Sequence, residues 1–131
     1  MKAVMKSLGL VVLLGSLAMA DLPTGTFGFD MKSTLKANGE ADEQMTYLVK
    51  NMSKDIKIIT VAKGRKVTLE GVNRKGKVRK HTFDYTEISK DKYNIPAGRG
   101  MEVTSSDANY LKLDMAMQNG KKLHLYYSLE K

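Results

Sequence analysis

The sequence predicts a mostly β fold of the α+β class: an antiparallel meander curled into a small barrel or strongly bent sheet, with one helix after the first strand. Three observations predict it. Near the C-terminal end, Leu111, Leu113, Met115 and Met117 alternate with more polar residues, and Leu123, Leu125, Tyr127 and Leu129 do the same beyond a glycine turn. That is the period of two half-buried strands. From residue 56 onward, short β-branched and aromatic runs are separated by turns containing glycine, the spacing of a meander that closes on itself. One segment alone, 40–53, changes to a helical period.

Residues 1–20 read as a segment apart from the fold. Lys2 and Lys6 give a positive start, 8–17 is an apolar run interrupted by Gly15 and Ser16, and Ala18 and Ala20 supply small residues at its end. This is the form of a secretory signal cut before Asp21, and the run is short for a bilayer of about 30 Å. The expectation is a single domain over 21–131, periplasmic or secreted. Zero cysteines mean neither a disulfide staple nor thiol chemistry, so stability has to come from burial and strand pairing.

Pro23 holds a short lead-in extended. Residues 25–31 then place Phe27, Phe29 and Met31 on one face of a first strand. In 40–53, Ala41, Met45, Leu48, Val49 and Met52 form one helical stripe, with Asp42 and Glu43 in the first turn and Lys50 and Lys54 near the last, where each charge suits the helix dipole. Asn38-Gly39 marks a break before it. Met45, Tyr47 and Val49 also alternate, so a strand reading stays open there. Strands follow over 56–61, over 65–72 with Val67 and Leu69, and over 78–88 with Phe83 and Tyr85. Shorter pieces at 93–95 and 101–104 precede the final hairpin.

Three turns share a form: Ala62-Lys63-Gly64, Arg74-Lys75-Gly76 and Gln118-Asn119-Gly120, each followed by a basic residue. Parity decides the last. A two-residue loop would set Leu113 opposite Tyr126 and mix the two faces. A three-residue loop sets Met115 opposite Leu123 and Leu113 opposite Leu125, with Gly120 left-handed. Asn73 and Gly76 fit positions i and i+3 of a type I turn.

Gly25-Thr26-Phe27, a helical segment, and a long meander ending in an apolar hairpin resemble the small exported bacterial proteins called lipocalin-like. That group commonly has Trp where Phe27 stands, and this chain contains none. The resemblance implies a curved antiparallel sheet and a small apolar cavity, and it transfers no functional residues.

Signatures of catalysis are scarce, and an enzyme is not expected. His81 and His124 are the only imidazoles and have no metal-ligand spacing. Ser105-Ser106-Asp107 reads as a turn, as does Gly98-Arg99-Gly100 after Pro96. Met115-x-Met117 near His124 suggests the soft ligands of a periplasmic copper site. Alternation puts both sulfurs inward and His124 outward, so no metal or cofactor is expected.

The basic residues are localised. Lys63, Arg65, Lys66, Arg74, Lys75, Lys77, Arg79 and Lys80 fall within 63–80 with one acid, Glu70. As a hairpin, this stretch would crowd Arg74, Lys75 and Lys77 at its tip, with Arg79 and Lys80 on opposite faces below. Such a patch attracts anionic lipid, lipopolysaccharide phosphates or an acidic protein, unless it only guards a strand edge. Few aromatics interleave it, which makes nucleic acid an unlikely partner.

Two functional expectations follow. One is a non-enzymatic binding protein of the cell envelope with a small apolar ligand inside the curved sheet, lined by Phe27, Phe29, Met45, Leu113, Met115, Leu125 and Tyr127. The other is an envelope module that docks on an anionic surface or acidic partner through 63–80.

Overall fold

The computed structural model describes residues 21–39, 43–98, 100–117 and 120–130. Residues 1–20, expected to be a signal, the expected start of the helix at 40–42, Arg99 and the 118–119 part of the last turn lie outside the described residues. In chain order the elements are β1 (Gly25–Phe29), α1 (Met31–Asn38), α2 (Glu43–Asp55), β2 (Ile58–Ala62), β3 (Lys66–Val72), β4 (Val78–Asp84), β5 (Thr86–Ser89), β6 (Lys92–Ile95), β7 (Met101–Asp107), β8 (Tyr110–Ala116) and β9 (Lys122–Leu129). The strands form one antiparallel sheet in the order β4-β3-β2-β1-β9-β8-β7-β6-β5. It is a nearly closed, barrel-like sheet, mostly β as the sequence predicts.

The inward parity is continuous around the sheet. Phe27, Ile59, Val67, Val103, Leu113, Leu125 and Tyr127 are all buried, and cross-strand pairs such as Phe27↔Ile59, Val103↔Leu113 and Leu113↔Leu125 link them face to face. The final hairpin has the three-residue register: Leu113↔Leu125 and Met115↔Leu123 pair, Met117 N donates to Lys121 O at 2.8 Å, and Gly120 sits at φ 83. The Asn73–Gly76 turn also closes as expected, with Gly76 N donating to Asn73 O at 2.9 Å.

Four expectations need correction. The run 78–88 is two strands rather than one. The chain turns at the buried Tyr85, so the two edges of the sheet, β4 and β5, are consecutive in sequence and meet at that corner. Tyr85 holds it from both sides: its backbone N donates to Arg65 O at 3.0 Å, and its hydroxyl accepts from Leu22 N at 2.9 Å. Second, Ser105-Ser106-Asp107 is not a turn but the end of β7, after a bulge between Val103 and Ser105. The reversal comes at 108–109, where the Asp107 carboxylate accepts from Asn109 N at 2.7 Å. Third, the first strand stops at Phe29. Met31 opens a helix instead, because Asp30 caps it by accepting from Ser33 N at 3.0 Å.

That helix, α1, is the fourth correction, an element the periodicity does not reveal. It stands in for a strand. β1 pairs with β9 only over Phe27↔Leu129 to Phe29↔Tyr127; beyond it Asp30 N donates to Tyr126 O at 2.8 Å, and no strand follows to meet Tyr126 N or the N and O of His124. Side chains one helical turn apart replace it. Thr34 Oγ1 accepts from Tyr126 N at 2.9 Å. Asn38 Oδ1 accepts from His124 N at 2.9 Å while its Nδ2 donates to His124 O at 2.5 Å, so the amide behaves as a peptide group. Asn38→Leu should therefore cost about 2 kcal/mol in urea unfolding, because it leaves both His124 groups unpaired. Asn38→Asp, which can accept but not donate, should fall between it and the parent.

The helix expected after the first strand is present as α2. Met45, Val49 and Met52 of the stripe pack on the core, and Leu48 does not, being exposed. Its end is tied down tightly. Lys57 N donates to Glu70 O at 2.7 Å, and the Tyr127 hydroxyl donates to Ile56 O at 2.7 Å.

Candidate functional site: an open seam and a basic tip

The seven residues expected to line a cavity belong to the packed interior. Phe27, Leu113, Leu125 and Tyr127 are fully buried, and Phe29, Met45 and Met115 pack against them. The Tyr127 ring meets Phe29 edge-on at 5.4 Å, and burial pushes its phenol well above the usual tyrosine range, with Asp55 adding to the effect. None of the clefts described below has any of these seven on its walls.

The open space lies at the seam instead. Strand β4 pairs Gly71↔Arg79, Leu69↔His81 and Val67↔Phe83. Val67, Leu69 and Gly71 face the interior, so Arg79, His81 and Phe83 face it too. The interior pattern is thus carried to the sheet edge by an arginine, a histidine and a half-buried phenylalanine. Beyond them the sheet does not close. A cleft of about 420 Å³ opens between β4 and the residues after β6. Ile56, Leu69, Phe83 and Ala97 make its apolar wall, Arg79 and His81 stand at the edge, and Asp55 is the one carboxylate lining it among the described residues. The His81 and Phe83 rings lie 6.4 Å apart.

The basic stretch is not one patch. Lys63, Arg65 and Lys66 sit at the β2–β3 turn, and Arg74, Lys75, Lys77, Arg79 and Lys80 at or below the β3–β4 turn. The seven residues of β3 separate the two ends by about 20 Å. At the first end two of the three cations are engaged: Arg65 Nε meets Asp21 Oδ1 at 2.9 Å, and Lys66 pairs with Asp84. Arg65 also takes a left-handed backbone, φ 61, and its side chain is three-quarters covered, so its place is structural. At the other end Lys80 meets Glu70 at 3.5 Å on the outer face, opposite in sense to Arg79 as expected. Arg74, Lys75, Lys77 and Arg79 form no ion pair among the described residues.

Two residues that the sequence places on the helix, and not at a site, join this tip. Tyr47 and Lys54 of α2 face Arg74, Val72 and Gly76 across a groove of about 690 Å³, and Tyr47 is 66% exposed. The signal for Tyr47 was its place beside the helix's apolar stripe rather than on it.

The methionine and histidine of the copper expectation point apart. Met115 pairs with Leu123 on the inner side, whereas His124 is on the outer face with its Nδ1 2.7 Å from Asp114 Oδ1. Among the described residues no group of three His, Cys, Asp or Glu side chains is placed to hold a metal. Nor is any helix there long and apolar enough to cross a membrane.

Fold and site together define a small antiparallel barrel-like sheet with an open seam at one edge and a basic tip beside it. No family model, curated protein or solved structure matches the chain, so the functional reading rests on this geometry.

Proposed function

We propose that the protein is a non-enzymatic binding protein of the cell envelope that takes a small, largely apolar ligand bearing an acidic group into the open seam of its curved sheet. The observation that carries this reading is the inner face of β4, where Arg79, His81 and Phe83 stand over the buried Leu69 without being buried themselves. A packed interior has no use for an arginine at that parity, whereas a cleft that receives a carboxylate or phosphate does. Its volume, about 420 Å³, falls in the range of small-molecule sites. The envelope assignment rests on the signal-like residues 1–20 and on the resemblance to lipocalin-like exported proteins.

Native mass spectrometry and ligand-observed NMR with decanoate and decanol test it. Decanoate should be retained more tightly than decanol. Phe83→Ala should weaken both by about tenfold through lost apolar contact. Arg79→Gln should remove most of the preference for the acid, again about tenfold. Retention of neither probe, or binding that ignores both substitutions, would overturn the reading.

A further inference from the structure

We propose that the β3–β4 tip and the facing side of α2 form a docking surface for an anionic lipid bilayer. The surface has the two components that interfacial binding needs, cations and exposed apolar groups side by side. Arg74, Lys75 and Lys77 supply the charge. Their turn is fixed rather than loose, because Asn73 Oδ1 accepts from the backbone N of both Lys75 and Lys77, at 2.8 and 3.0 Å. The three side chains therefore leave a rigid tip, exposed and without a carboxylate partner among the described residues.

The apolar component flanks the same turn. Val78 pairs with Val72 on the outer face and is 60% exposed. Val72 lines the groove that Tyr47 and Lys54 share with Arg74, so Tyr47 and Val78 both flank the cationic turn.

Edge protection alone does not account for this arrangement. A guarding lysine belongs along a strand edge, and Lys80, paired to Glu70, fits that role. Arg74, Lys75 and Lys77 lie in or next to the turn, beyond the ladder. Protection also gives no reason to leave Tyr47 and Val78 uncovered beside them. An acidic protein would meet the cations equally well, but the uncovered tyrosine and valine beside them favour a bilayer, where a tyrosine ring settles at the headgroup level and a valine adds apolar contact. This inference stands apart from the ligand proposal, since Tyr47, Arg74, Lys75, Lys77 and Val78 do not line the seam cleft.

Co-sedimentation with vesicles of phosphatidylglycerol and phosphatidylcholine in equal parts, against phosphatidylcholine alone, tests it. The protein should bind the anionic vesicles only, and release as salt rises from about 0.1 M to about 1 M and the Debye length falls. Arg74→Ser with Lys75→Ser should weaken binding by about 30-fold. The charge-matched pair Lys63→Ser with Lys66→Ser, at the far end of β3, should change it less than about twofold, because its charges lie beyond a Debye length from the surface. Tyr47→Ser with Val78→Ser should weaken it by about tenfold at unchanged charge. Circular dichroism of each variant checks the fold. Equal loss from the two charge-matched pairs would reduce the effect to net charge and overturn the proposal. So would binding that ignores Tyr47 and Val78, which is the result an acidic protein partner predicts.

Discussion

Gly71→Ala should lower the urea midpoint sharply, by the equivalent of about 3 kcal/mol or more. The cause is backbone against backbone. A Cβ at Gly71 would fall 2.5 Å from Lys54 O and closer still to the Asp55 carbonyl, so no rotamer change can make room. Withdrawal of α2 is also blocked, because Lys57 N is bonded to Glu70 O and the Tyr127 hydroxyl to Ile56 O. The substitution must then strain the strand or break those bonds. Gly28→Ala is the control. There the added methyl meets the Glu130 side chain at 2.5 Å, a flexible exposed chain that can swing aside, and the cost should stay under about 1 kcal/mol. A two-state unfolding series on both variants decides it. Equal midpoints for the two would show that the close approach of α2 to β3 is not what holds the helix end in place.

The same contact shows where the sequence is legible and where it is not. Parity was sufficient for the last hairpin, because Leu113, Met115, Leu123 and Leu125 can share a face in one register only. The α2 stripe was readable because Met45, Val49 and Met52 recur at helical spacing over a buried site. Helix α1 was not, since Thr34 and Asn38 serve β9's backbone rather than an apolar core, and periodicity measures only the latter. Its caps, Asp30 and Gly39, were the available signal. Tyr85 illustrates another limit. Alternation runs unbroken from Phe83 through Tyr85, so no local pattern marks the corner that separates the sheet's two edges. The basic stretch misled for a related reason: neighbours in sequence lie at opposite ends of β3, and only the pairing of β2, β3 and β4 separates them. The cavity lining was drawn from the strongest apolar alternation, yet such residues are the ones that pack together. The opening lies where inner positions turn polar, at Arg79 and His81, and that signal is visible once the hairpin register is known.

Tyr127 tests that distinction between packed interior and open seam. It is fully buried, it meets Phe29 edge-on at 5.4 Å, and its hydroxyl serves Ile56 O at 2.7 Å. Tyr127→Phe removes the hydroxyl alone and leaves a buried carbonyl without that donor, for an expected loss of about 1–3 kcal/mol. Tyr127→Ala removes the ring as well, and the total should reach about 3–5 kcal/mol because the surrounding strands are paired on both sides and cannot collapse into the space. Urea unfolding of the two variants separates the hydroxyl from the ring. A ligand chamber built around Tyr127 would behave differently: its wall would tolerate Tyr127→Ala at a cost under about 1 kcal/mol, and decanoate binding would change with the residue. In the arrangement described here the stability loss is large, and the folded fraction of Tyr127→Phe binds decanoate as the parent does, since Tyr127 does not line the seam. The opposite pair of results would move the ligand site from β4 back to the centre of the sheet.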